Sequence, residues 1–283
     1  DDVCLGGVTG TPGYCRNGYE GPYCSICSDG HATSFGFACE KCSGIAGGIV
    51  LTVVLIVFVL IGAAGVASYT MSSKLEGDGR GPIERLTRFV PLHSIKIVIA
   101  ALQIVTQFTA IANVTYPHVY QRFLDAVNVL NFDLGWISQM SVGCVFDIGI
   151  HGRLLIATIG PIIAAMFLGL TYAVAAKASR GSAESLRLIR HRHISVMLLL
   201  TFLVYSSVSS ILFQMFACDD LEDGKNYLRA DYRVECDSSQ HIAFQVYAGF
   251  MILLYTVGIP ALYASLLFRN RGVLKDEVGR EDN

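Results

Sequence analysis

Ile45 to Ser68 reads IAGGIVLTVVLIVFVLIGAAGVAS, a run of 24 residues without a charge. A helix of that length rises about 36 Å, enough to cross the roughly 30 Å hydrocarbon layer of a bilayer. The cysteine-rich sequence before it has no helical period, and most of the chain after it is equally apolar. The run therefore marks where a module on one side of a membrane passes into a bundle within it.

Four more apolar segments come after it. Ile97–Ala112 is extended at its start by Lys96, whose stem can snorkel to the surface. Leu154–Ala176, Ile194–Ala217 and Ile242–Phe268 are uncharged and long enough to span. The sequence thus predicts an all-α multi-pass membrane bundle of five transmembrane helices. A mean hydropathy of +0.51 and a charged fraction of 16%, against about 25% in soluble domains, agree with it.

The expected organisation is a cysteine-rich module at 1–43, a first span at 44–69, a linker at 70–93, a four-helix region at 94–268 and a tail at 269–283. The four-helix region carries outside segments at 113–153 and 218–241. The linkers 69–93 and 177–193 and the tail hold 13 Lys and Arg, against 7 in the segments on the other side. Basic loops stay cytosolic. This predicts a plasma-membrane protein at a cell or flagellar surface, with its N-terminus outside and its C-terminus in the cytosol. The chain opens at Asp1 without Met, which reads as a piece of something longer.

Of nine cysteines, six lie in the first 42 residues, spaced C-x10-C-x8-C-x2-C-x11-C-x2-C. Cys24, Cys27, Cys39 and Cys42 have the pattern of a four-thiolate zinc ribbon. The competing reading places Cys4, Cys15, Cys24, Cys27, Cys39 and Cys42 in disulfides, which the outside location favours. The segment GYCRNGYEGPYCSIC resembles EGF-like and laminin-type repeats, and that resemblance implies a small disulfide-rich extracellular EGF-like module. Cys218 and Cys236 bracket one short outside loop and are expected to pair. Cys144 is the odd residue, and could compete for a partner or stay reduced. Asn113-Val114-Thr115 is an N-glycosylation acceptor on the same side.

After the second span, Val119, Phe123, Val127, Leu130 and Leu134 fall at helical spacing, and Trp136 comes next. The pattern predicts an amphipathic helix at the outer surface; a pore helix would look similar.

No GxSxG, P-loop, HExxH or GxGxxG stands in a catalytic context, so no enzyme, cofactor, metal or nucleic-acid partner is expected. His191 and His193 sit in RLIRHRHIS, where a solvated face beside anionic headgroups is favoured over metal binding. The spans carry no carboxylate, which counts against proton-coupled transport. They do carry neutral polar stripes. Gln103, Thr106 and Gln107 share a region of the second span, and Thr201, Tyr205 and Ser209 line the fourth. These form a candidate polar path; interhelical hydrogen bonding is the plainer explanation. Gly160, Pro161, Ala164, Ala165 and Gly169 would allow close helix approach, and Gly258-Ile259-Pro260 should bend the fifth span. The outside segments hold 15 acidic residues against 7 basic. Asp219, Asp220, Glu222 and Asp223 are candidates for attracting cations to a pore mouth, or simply a soluble acidic surface.

A cysteine-rich repeat followed by SVSSILFQMFAC, NYLRADYRVEC and VGIPALYASLLFRNR resembles the C-terminal membrane region of large surface proteins of algae, oomycetes and other protists. Those regions are grouped with TRP-like or polycystin-like membrane domains. The similarity runs from Cys15 to Arg271. It implies a cation-channel-like or sensory domain ending a larger extracellular protein. TRP channels have six spans rather than five, so no pore residue is carried over. The alternative is an anchor or adhesion component tethering an extracellular filament or matrix. Expected partners are membrane lipids, other membrane subunits or further copies of the chain, and matrix proteins.

Overall fold

In the computed structural model, the structure describes residues 3–5, 14–33, 39–42, 45–71, 149–179, 183–221 and 224–281, with a few positions between 98 and 123. The N-terminal module is built from two short antiparallel hairpins. β1 (Tyr19–Glu20) pairs with β2 (Ile26–Cys27), and β3 (His31–Thr33) pairs with β4 (Cys39–Lys41). So few hydrogen bonds cannot hold a fold, and covalent links supply the rest. Cys15 bonds Cys24, and Cys27 bonds Cys39. Cys42 is disulfide-bonded as well. The backbone N–H of Cys39 donates to the Tyr19 hydroxyl at 3.0 Å, joining the two hairpins. Gly21 has φ +75°, and a Cβ there would collide with Ile26.

Cys4, expected in a disulfide, is free and exposed. Cys15, its neighbour across an isolated bridge, is taken by Cys24, and an odd number of cysteines cannot all pair within one chain. Cys144 lies outside the described residues, as do Thr106, Gln107, Asn113, Trp136, Glu222 and Asp223.

Among the described residues, four helical stretches are long and apolar enough to cross a membrane. α1 (Ile45–Met71) is the opening run. Val53, Phe58, Val59, Leu60 and Ile61 are all exposed on it. An apolar surface of that extent is untenable in water and natural in lipid. α1 touches the other helices at its far end, where Arg192 donates from Nη1 to Tyr69 O at 3.1 Å and lies over the Tyr69 ring.

α2 (Ile150–Ala178) and α3 (Ala183–Gln214) form an antiparallel pair. Both outrun the apolar segments that announce them. α2 begins at Ile150 instead of Leu154, so His151 and Arg153 belong to the helix. α3 begins at Ala183, eleven residues before the apolar segment, because its first three turns are amphipathic and carry their charges outward. His193 is not on a solvated face. It is buried, with Nδ1 2.8 Å from Ile189 O and Nε2 3.2 Å from Thr171 Oγ1, whereas His191 is exposed.

A lid comes after α3. β5 (Cys218–Asp220) pairs with β6 (Asn226–Leu228), and Cys218 bonds Cys236. The chain then enters α4 (Ser239–Ile252), capped by the Ser238 hydroxyl, which accepts from His241 N–H. A π turn at Leu253–Val257 leads into α5 (Gly258–Glu281). Pro260 supplies no N–H to the carbonyl one turn back and its ring crowds that carbonyl, so the expected disturbance appears as the turn just before Gly258-Ile259-Pro260.

The second span is described only at Val98, Leu102, Gln103 and their near neighbours, all helical, with Gln103 buried. Of the outside helix, Tyr120 and Phe123 are helical and stack at 6.3 Å. Among the described residues, nothing lies within 4 Å of where a Cβ would stand on Gly160 or Gly169.

The core lies at the lidded end of the bundle. Ile150 and Leu154 of α2, Leu212 of α3, Met215 just after it, Leu228 of the lid and Ala248 of α4 are all buried together. Tyr23 of the cysteine-rich module meets Tyr232 of the lid edge-on at 6.3 Å. Module and lid thus share one end, and Tyr69 and Arg192 mark the other, as alternating spans require.

Non-reducing peptide mapping tests the covalent frame. Cys15–Cys24, Cys27–Cys39 and Cys218–Cys236 should appear as linked peptides, with Cys4 alkylated before any reduction. A Cys4–Cys15 link would contradict the frame.

Candidate functional site

Two features carry the polar chemistry of the described bundle. The first is a seam of hydroxyls between helices. Thr158 Oγ1 lies 2.7 Å from Tyr247 Oη, and the Tyr255 hydroxyl donates to Thr158 O at 2.6 Å. Thr256 Oγ1 donates to Ser209 Oγ at 3.1 Å. Thr201 Oγ1 lies 2.8 Å from Tyr263 Oη, which itself donates to Leu198 O at 2.9 Å. Thr201 Oγ1 also lies 3.1 Å from Met197 O and 3.0 Å from Leu198 O, so either hydroxyl of the pair can be the donor. Of the candidate polar path, Thr201 and Ser209 are therefore engaged across the α3–α5 and α3–π-turn contacts. Tyr205 packs partly buried against the core. Each such bond contributes about 0.6 kcal/mol on average in a membrane.

The second feature sits beneath the lid, and no motif in the sequence singles it out. His151, in the first turn of α2, and His241, in the first turn of α4, meet with His151 Nε2 and His241 Nδ1 3.1 Å apart. His241 is fully buried, and its Nε2 lies 3.1 Å from Met215 O at the end of α3. Gln245 Nε2 donates to the same carbonyl at 3.2 Å. Phe244 stacks on the His151 ring at 4.2 Å between centroids. Four parts of the chain thus converge on two imidazoles: the starts of α2 and α4, the end of α3, and the lid.

The lid is fastened over them by charge. The Asp231 side chain is 8% exposed. It accepts from Arg233 and, at 3.4 Å, from Ile150 N, one of the otherwise unpaired amides at the start of α2. Burial opposes its ionisation, but the hydrogen bonds and charge of Arg233, with the backbone N–H groups of Arg233 and Ile150, hold its carboxyl below the usual carboxylate range. Asp219 accepts from Arg229 Nε and Nη2 and from the Tyr232 hydroxyl, and the Arg229 bond holds it low too. Lys225 pairs with Glu235. Asp219, a candidate for attracting cations, is thus committed to bonds within the lid.

Cys218, Cys236 and His241 place ligand atoms within 4.8 Å of one another. While the disulfide stands its sulfurs are not thiolates, and both His241 nitrogens already have partners. What the cluster can do as it stands is hold and exchange a proton.

One signal for the histidine pair exists in the sequence. Each His lies within three residues of the start of a long apolar helix, and both helices start on the side that carries the lid. Nothing in a single sequence states that the two are neighbours across 90 residues.

The depressed Asp231 predicts a specific pH dependence. A carboxyl whose folded value lies below its ordinary 3.8 contributes stability that is complete above 3.8 and lost as pH falls through the folded value. The thermal stability of the wild-type chain in micelles should therefore exceed that of Asp231→Asn near neutrality. The gap should close on acidification below 3.8. A gap that does not change with pH would contradict the assignment.

Compared with protein families, curated proteins and solved structures, the chain matches none.

Proposed function

We propose that the chain is a membrane-anchoring domain of a surface protein, holding a disulfide-rich outer module against a multi-pass bundle. The observation that carries this reading is the commitment of the α3 hydroxyls at Thr201 and Ser209 to bonds with the next helix. A path for ions needs polar groups turned to water; groups turned to one another lock helices together. The lid adds support, because Asp219 is bonded to Arg229 and Tyr232. In this proposal the bundle has five spans, Ile97–Ala112 being the second. The module is EGF-like, and residues 1–44 and 218–241 face outward from the plasma membrane with Asn113 available for glycosylation. The outer module would join the bundle to filament or matrix proteins. Kinship with TRP-like or polycystin-like regions belongs to the same proposal and rests on the quoted motifs.

Two measurements on the full chain test it. In planar bilayers the purified protein should give no current above that of protein-free membranes. On intact cells a membrane-impermeant maleimide should label Cys4. Sustained cation currents would replace the anchor with a channel, and labelling of Cys4 only after permeabilisation would reverse the orientation.

A further inference from the structure

The partners of the two imidazoles beneath the lid dictate where their protons sit. Met215 O can only accept, so His241 carries hydrogen on Nε2 and donates it there. Its Nδ1 then holds a lone pair, and the 3.1 Å contact requires hydrogen on His151 Nε2. His151 Nδ1 is the basic nitrogen that remains.

We infer that His151 and His241 form an acid-sensitive latch joining the starts of α2 and α4 beneath the lid, which accepts one proton unchanged and breaks on the second. The first proton enters at His151 Nδ1. Nε2–H still points at His241, and the new charge lies near the Asp231 carboxylate, which is electrostatically coupled to His151. The second proton has one place to go, His241 Nδ1. Two N–H groups would then face each other at 3.1 Å, on two cations. His151 must leave its stack on Phe244, or His241 must abandon Met215 O. Either event loosens α2, α4 and the end of α3 from one another.

Among the described residues, the following groups lie around the pair. The lid contributes Asp231 with its partner Arg233, and the disulfide, which does not titrate. α2 contributes Arg153, two residues beyond His151, whose Nε is buried. α4 contributes Phe244 and Gln245, neither of them charged, and the end of α3 contributes a backbone carbonyl. Asp231 is ionised throughout the range in which histidines titrate, so a change there is not its doing. This inference goes beyond the anchoring role and does not depend on it, since the latch is defined by hydrogen bonds on one end of the bundle.

Hydrogen exchange of the full chain in nanodiscs tests it. The reporters are the lid amides of Leu228 and Cys236, bonded to Val234 O and Asn226 O at 2.9 and 2.8 Å. Corrected for intrinsic rates, their protection in the wild type should fall about tenfold or more between about pH 7.5 and about pH 5. His241→Gln keeps an N–H for Met215 O and an oxygen for His151 but takes no second proton, so its protection should stay flat. His151→Phe removes the facing N–H and should lose less protection than the wild type over the same range, from a lower starting level. A flat wild type, or the same loss in H241Q, would overturn the latch. Imidazole nitrogen NMR of the wild type gives an independent reading that needs no variant. His241 protonated on Nε2 alone at neutral pH supports the latch, and His241 protonated on both nitrogens there overturns it.

Discussion

Polar groups at and below the membrane surface have to be paired within the protein, because hydrocarbon offers them nothing. The described bundle meets that requirement largely by committing hydroxyls to helix contacts, with Ser207 Oγ buried without a partner among the described residues. Thr158 binds Tyr247, Thr201 binds Tyr263, and Ser209 accepts from Thr256. At the lidded end the same demand falls on charged and imidazole groups. Asp231 satisfies an open amide of α2 while balancing Arg233, and His241 satisfies Met215 O. Remove these pairings and α2, α3 and α4 have little beyond shape to keep them in register, since lipid is as apolar as their side chains.

The disulfides work at a different level. The N-terminal module is too small to bury a core, so Cys15–Cys24 and Cys27–Cys39 hold what its two hairpins cannot. Cys218–Cys236 instead closes a lid whose inner face, Leu228 and Cys236, joins the core of the helices. The Tyr23–Tyr232 contact brings the two disulfide-braced parts together.

How much of this is legible in sequence depends on the range of the interaction. Apolar runs announce α1, α2, α3 and the α4–α5 span because hydropathy is local. The Cys218–Cys236 pair is legible because its loop is short. Residues 183–193 are charged, so hydropathy alone does not carry α3 back to Ala183, but the stretch SAESLRLIRHRH reads as a helical extension and is one from Ala183 onward. His193 looks solvated among its basic neighbours, and only the antiparallel packing of α2 against α3 turns it onto Thr171. Cys4 illustrates the opposite problem: six clustered cysteines suggest three bonds, but an odd total leaves at least one residue over. The His151–His241 contact is the hardest to foresee, because it depends on where two helices begin and on which way each first turn faces.

The central claim is that the seam between α3 and the helix after it is closed by its own hydrogen bonds and holds no water path. Reactivity at Ser209 tests this most directly. With Cys4 blocked beforehand, a Ser209→Cys chain in proteoliposomes is exposed to a small charged methanethiosulfonate from either side. No modification is expected on a timescale that labels a surface thiol. Rapid modification from one side would show water reaching the seam and would contradict the claim.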